Sequence, residues 1–245
     1  MFQHFVVIRF SIGNPGAAFF SSRIETFKHI TYPSLRSQTN QNFQVLLCVD
    51  DISDERQVVA LEKLTLPDWP RYEVVKLENQ RAGHDFQHEQ PWPIVEKRLL
   101  FPYVITSRVD TDNAFAKHYI DTVQKNFLGI TSTYRVEFSC GLCWVWGKIG
   151  YRKNYWLDGF SSLVAPSVSK NHIYDGSHTE LKKKYPLGIS ESPEIPSWLI
   201  VGHSGCVSVE TYKKYPQSRQ WTGEVRPDLL EKHFNVDTDF LKGLK

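Results

Sequence analysis

Four short apolar runs rich in β-branched residues recur within the first 110 residues: HFVVIRF, NFQVLLCVD, RYEVVKLEN and PYVITSRVD. Each suits a buried strand of a parallel sheet. The stretches between them carry helix signals. SSRIETFKHI offers a Ser22 cap with Glu25 three residues on, SDERQVVALEKL can start from Ser53 or Asp54, and PIVEKRLL places Pro93 in a first turn. The pattern predicts βαβαβαβ. Right-handed crossovers of this kind build an open α/β sheet with helices on both faces, and such sheets bind ligands beyond the carboxyl ends of their strands. Asp50, Asp51, Asp110 and Asp112 all fall at such ends.

After AFAKHYIDTVQKNFL, read as a helix, the pattern turns to the aromatic runs TYRVEFSCGLCWVWGKIGY and NYWLDGFSSLVAP. Gly141, Gly147 and Gly159 are their expected turns or bulges, and the runs read as antiparallel strands. Neither a linker nor an internal repeat divides the chain, so one domain is expected, with a nucleotide-like first half and a mixed second half.

A net charge of +2 over 245 residues argues against a nucleic-acid partner. The run Lys182, Lys183, Lys184 reads as a solvated helix face, with weak attraction to acidic lipid headgroups as the alternative. HFVVIRF is too short for a signal-peptide core, and a cytoplasmic protein is expected, with peripheral contact at the inner face of a membrane left open. Of the four cysteines only Cys140 and Cys143 share suggestive spacing. No second pair accompanies them for zinc, so buried thiols are expected, ahead of a redox pair.

The stretch TSRVDTDNAF carries the chemistry. If the fourth strand runs through it, Asp110 and Asp112 face the same way and reach one ion beyond the strand end. Hard carboxylate ligands suit magnesium or manganese, which commonly completes its shell with substrate phosphate oxygens. The alternative is an Asx turn in which Asp112 or Asn113 caps the helix AFAKHYI. His203 ends another apolar run, IPSWLIVGHSG, between Gly202 and Gly205. It is either a third ligand or a hydrogen-bonded structural residue.

Taken in order, VVIRFSI, TYPSLRSQTNQNFQVLLCVDD, SRVDTDNAF and SWLIVGHSGCVS resemble the putative rhamnosyltransferase family of GT-A-type glycosyltransferases, and YPSLRSQTNQNFQVLLCVDDISDE resembles the wider family-2 enzymes. The resemblance covers most of the chain. It implies a single GT-A-type, Rossmann-like mixed sheet flanked by helices, with residues 1–115 as the nucleotide-binding half and 116–245 as the acceptor-side half. It further implies a nucleoside-diphosphate-sugar donor, manganese or magnesium, and a saccharide or lipid-linked saccharide acceptor, as in surface polysaccharide assembly. By motif position Asp110 faces the donor ribose and the metal, Asp112 is the principal metal ligand, and His203 contacts metal or diphosphate. Arg9, Phe10 and Ser11 leave the first strand where such enzymes grip the nucleobase, Asp50 or Asp51 accepts the base imide hydrogen, and Arg98 is a nucleotide-contacting cation. Each has a plainer alternative: an ion pair for Arg9, a helix cap for Asp50 and Asp51, an apolar stem coating a helix for Arg98.

An inverting transfer also needs a base. HIYDGSHTELKKKY supplies Asp175 first, then His178 and Glu180, though either carboxylate could instead favour the helix start. The stretch departs from the Glu-Asp pair common among family-2 enzymes, and without a base here a retaining mechanism opens. Trp144, Trp146, Tyr155 and Trp156 either stack on sugar faces or fill the core. Two other readings compete. A nucleotidyltransferase would want a basic residue in the loop RFSIGNPGAAFF, which has none beyond the strand's Arg9; a non-catalytic carbohydrate- or nucleotide-binding protein would keep the fold without turnover.

Overall fold

In the computed structural model the four runs become four parallel strands. The structure describes residues 1–12, 16–50, 53–65, 71–77, 91–145, 148–152, 160–176, 178–191, 195–203 and 228–244. For residues 65, 91, 148, 151, 152, 178 and 179 it describes the backbone alone. Strands β1 (Phe2–Phe10), β2 (Gln44–Asp50), β3 (Tyr72–Leu77) and β4 (Tyr103–Arg108) pair in parallel in the order β4-β1-β2-β3. Helix α1 (Ala17–Thr26), a π-helical turn (Phe27–Thr31) and α2 (Tyr32–Arg36) form the first crossover; α3 (Glu55–Thr65) and α4 (Pro91–Glu96) belong to the next two.

The sheet continues beyond β4 through β9 (Ser162–Pro166), β6 (Tyr134–Phe138) and β10 (Gly188–Glu191), seven strands among the described residues. β9 runs antiparallel to both β4 and β6, while β10 is parallel to β6. A second sheet orders β5 (Ala114–Phe115), β11 (Trp198–Gly202), β7 (Gly141–Val145) and β8 (Lys148–Arg152). β7 and β8 are antiparallel, as expected from the aromatic runs, but β7 pairs in parallel with β11. The second half is therefore mixed rather than wholly antiparallel. It also holds α5 (Tyr119–Lys125), α6 (His178–Lys184), α7 (Asp228–Phe234) and α8 (Thr238–Gly243).

Strand alternation sorts the core. Val6, Ile8 and Phe10 of β1 face Phe20, Phe27 and Leu35 on one side of the sheet, whereas Phe5 and Val7 face Trp92, Val95, Tyr174 and Leu181 on the other. A third cluster joins β7 and β11 to α7 and α8 through Trp144, Leu199, Val201, Leu230 and Phe234. Burying each such side chain stabilises the fold by about 1.5–3 kcal/mol, so these faces fix the strand register.

Local expectations shift in three places. α1 starts at Ala17 behind Gly16, with no side-chain cap, rather than at Ser22. Phe20 is wholly buried against Phe10, ring centroids 4.9 Å apart, and that contact draws the earlier turn into the helix. The helix expected from Ala114 begins only at Tyr119, because Ala114 and Phe115 pair with Leu199 and Trp198. Asp112 and Asn113 therefore do not cap it. For α3 the cap is Asp54, whose Oδ1 accepts the Arg56 amide at 2.8 Å, so Asp50 is not needed there. Cys48, Cys140 and Cys143 are buried, Cys206 lies outside the described residues, and Lys182, Lys183 and Lys184 are solvent-exposed. No helix among the described residues is long and apolar enough to cross a membrane.

Candidate donor site at the carboxyl ends of the strands

β4 stops at Arg108, so Asp110 and Asp112 lie beyond the strand rather than on it. The Asn113 amide donates to the Asp110 carbonyl at 3.1 Å and closes a turn over Asp110–Asn113. The two carboxylates consequently part company: Asp110 is exposed and Asp112 is buried. Two elements clamp the turn. Thr31, last in the π-helical turn, has its hydroxyl 2.8 Å from the Asn113 carbonyl and 3.2 Å from that of Asp110. On the opposite side Asn113 Oδ1 accepts the Val201 amide of β11 at 3.1 Å.

That last bond ties the turn to the strand leading into His203. His203 Nε2 lies 3.3 Å from Asp112 Oδ2, and the same oxygen accepts Arg23 Nη1 from α1. The Arg23 guanidinium also sits over the Phe19 ring, 4.9 Å from its centroid. Burial alone would raise the Asp112 carboxyl, but the His203 hydrogen bond and the Arg23 charge together hold it below the usual carboxylate range. Among the described residues no three His, Cys, Asp or Glu side chains gather into one group; Asp112 and His203 form a pair, with Asp110 outside it. Asp112 and His203 present two ligand types a divalent cation takes, a carboxylate oxygen and an imidazole nitrogen 3.3 Å apart, with the carboxylate oxygen also engaged by Arg23; phosphate and water would have to supply the remaining ligands.

The carboxyl ends of β1 and β2 lie at the same end of the sheet as that of β4. Phe10 is fully buried, packed on Phe20 and Phe27. Ser11 takes a left-handed backbone, φ 56°, and its buried hydroxyl has no hydrogen-bond partner among the described residues. A non-glycine residue in that region costs energy that a functional contact commonly justifies. Asp50 is buried; its carbonyl accepts the Ser53 amide at 3.1 Å, and the Ser53 hydroxyl likewise lacks a partner among the described residues. Arg9 and Arg108 flank the Tyr174 ring at 5.4 and 5.6 Å, and the Tyr174 hydroxyl donates to the Val7 carbonyl. Asp51 lies outside the described residues.

The structure does not bring Arg98 here. Its Nε donates to Glu73 at the start of β3 at 2.8 Å, and its carbonyl accepts from Gln3 at the start of β1, at the opposite end of the sheet. Asp175 follows Ile173 and Tyr174, which are bolted to β4 and β1 by Thr106 Oγ1 and the Val7 carbonyl. Its Oδ1 lies 2.6 Å from Lys184 Nζ and its Oδ2 accepts the Tyr185 hydroxyl. Glu180 is exposed in the first turn of α6. His178 begins that helix, with its side chain outside the described residues, as are Trp146, Tyr155 and Trp156. Trp144 is a core residue. Sequence reading missed Arg23, Thr31, Asn113, Arg108 and Tyr174. Only the DTDN run itself hinted at Asn113.

A search of curated proteins finds no match. Among solved structures, the chain is similar to a putative glucose-1-phosphate thymidylyltransferase from Bacillus anthracis in complex with a sucrose: 9% identity, 91% of this chain and 98% of that one, TM-score 0.52. It is also similar to S. aureus TarS 1-349, at 14% identity and TM-score 0.48, with 81% of this chain aligned. A putative nucleotide-diphospho-sugar transferase from Desulfovibrio desulfuricans G20 aligns at 12% identity over 99% of this chain and 98% of that one, TM-score 0.45. The chain spans about 60% of the length of the TarS chain it matches. The fold is GT-A-like, a seven-stranded central sheet flanked by helices. The family model described as "Putative rhamnosyl transferase" matches residues 16–214, which hold both the clamped aspartate turn and its arginine and histidine partners, and the chain belongs to that glycosyltransferase family.

Proposed function

We propose that the chain transfers a deoxyhexose, rhamnose, from a nucleoside diphosphate sugar to a saccharide acceptor, free or lipid-linked, in surface polysaccharide synthesis. The observation that carries this reading is the buried Asp112–His203 pair beyond the carboxyl end of β4, in a turn clamped by Thr31 and Val201. Ser11 and Ser53 offer hydroxyls without partners among the described residues, suited to the polar edge of a nucleobase or ribose, with Asp50 or Asp51 accepting the imide hydrogen. Asp112 and His203 would hold manganese or magnesium, with Asp110 toward the ribose. When bound, the ion offsets charge on the departing diphosphate.

Asp175 is the proposed base. Its carboxylate takes the acceptor hydroxyl proton as that oxygen bonds to the anomeric carbon and the bond to the diphosphate breaks, with inversion. Residues 1–115 serve the donor and 116–245 the acceptor within one domain. The protein acts in the cytoplasm, with peripheral contact at the inner face of the membrane where the acceptor is lipid-linked.

The experiment is calorimetric titration with UDP, GDP, dTDP and CDP, with and without manganese, on the parent protein and Asp112→Ala. Metal-dependent binding of one nucleotide, lost in the variant, supports the reading and narrows the donor. No binding under any condition overturns it and leaves a protein that kept the fold without the activity.

A further inference from the structure

We propose that Arg23 competes with the divalent cation for Asp112, so that the cation binds tightly only once a diphosphate takes over the guanidinium. This rests on the donor-site reading above.

Arg23 and Asp112 form an ion pair with side chains 11% and 6% exposed, and the Phe19 ring covers the guanidinium. A carboxylate neutralised in this way is a poor ligand for an added cation, and the fixed guanidinium repels a second positive charge at short range in a medium poorer than water. Pulling Asp112 away from Arg23 breaks a buried ion pair, which costs far more than parting an exposed one. A diphosphate removes the conflict. Its oxygens match the planar fork of donors at least as well as a carboxylate does, and they supply ligands to the cation at the same time. Arg23 can then pass from Asp112 to phosphate, while Asp112 Oδ2 and His203 Nε2, 3.3 Å apart, turn to the ion. Each ligand thus raises the affinity for the other, and the coupling is reciprocal. Asp110 is exposed and outside the pair, so it does not relieve the competition.

The test is manganese binding to the full chain, with free ion counted by electron paramagnetic resonance, for the parent and Arg23→Gln. It is run first with manganese alone and then with UDP, GDP, dTDP or CDP present. Without nucleotide, Arg23→Gln is expected to bind manganese at least about tenfold tighter than the parent, and the preferred nucleotide to tighten the parent far more than the variant. Should Arg23→Gln melt well below the parent, Arg23→Met, which keeps an apolar stem on Phe19, decides by the same criterion. Equal or weaker binding by the variant overturns the inference, as does tight binding of manganese alone by the parent; nucleotide-dependent binding in either case leaves the donor-site reading standing. If manganese binds to neither protein with any of the four nucleotides, both fall.

Discussion

The indole of Trp198 lies so close to the Cα of Gly141 that a Cβ there would fall 2.0 Å from Trp198 Cδ2. Trp198 begins β11, the strand that ends at the candidate site, and is pinned by stacking on Phe160 at 5.1 Å and by its Nε1 donating to the Phe138 carbonyl at 3.1 Å. With the ring fixed on three sides, an added methyl has nowhere to go. Gly141→Ala is expected to destabilise the protein by at least about 1–3 kcal/mol, the usual range for overpacking. Urea denaturation checks this, and an unchanged midpoint would mean that the indole is free to move.

Thr31 is expected to matter for binding as well as for stability. Its one hydrogen serves the carbonyls of Asp110 and Asn113. Thr31→Val keeps the shape and removes the donor, taking the hydroxyl from the buried Asn113 carbonyl at a cost of about 1–3 kcal/mol, while the Asp110 carbonyl keeps the Asn113 amide. Because those carbonyls bracket Asp112, nucleotide affinity should fall too. A variant with lower thermal stability and parental affinity would show that the turn holds its shape without Thr31.

These contacts mark the limit of what the sequence reveals. The alternation of apolar runs with helix signals gave β1 to β4 and their helices, because burial on both faces is written locally in each strand. The placement of Asp112 just past β4 and of His203 just past β11 followed from where their apolar runs end. Arg23 could not be found this way, since it meets Asp112 from a helix 89 residues earlier in the chain. The parallel pairing of β7 with β11 was equally hidden, and with it the short strand Ala114–Phe115, which overrides a helix-like local sequence through its contact with Trp198 and Leu199. Arg98 shows the converse. Its place on the helix before the aspartates suggested a nucleotide contact, yet that helix descends to the amino ends of the strands, where Glu73 and Gln3 engage it.

His4 links stability to pH. It is buried on β1, with Nε2 2.8 Å from Ser107 Oγ and Nδ1 facing the Gln124 side-chain amide at 3.2 Å. Burial lowers its pKa from 6.5 to about 3. An amide N–H already pointing at Nδ1 leaves no acceptor for a second ring proton. Between those two values the unfolded chain binds a proton that the folded chain does not, so stability falls as pH drops below about 6.5 and levels off near 3. The loss attributable to His4 is on the order of a few kcal/mol. His4→Gln should flatten the acid side of a stability-versus-pH curve measured by denaturant titration. A variant curve parallel to the parent's would assign the acid sensitivity to other groups.

Asp175 is the sharpest test of the acceptor side. The backbone around it is fixed: Ile173 donates to Thr106 Oγ1 at 2.9 Å, the Tyr174 hydroxyl reaches the Val7 carbonyl at 3.1 Å, and the Asp175 amide donates to the His172 carbonyl at 3.0 Å. A base needs such fixed placement, since proton transfer works only within hydrogen-bond reach. Both carboxylate oxygens have partners, but Lys184 is half-exposed and can yield to an acceptor hydroxyl. Asp175→Asn keeps the shape and the Tyr185 hydrogen bond while removing the proton acceptor. Turnover should drop by about two or more powers of ten with donor affinity nearly unchanged. Single-turnover kinetics alongside nucleotide titration separates the two effects. Parental turnover would reduce Asp175 to an ion-pair partner of Lys184, the last residue of α6, whereas a loss of donor binding in proportion to turnover would place it on the donor side of the site.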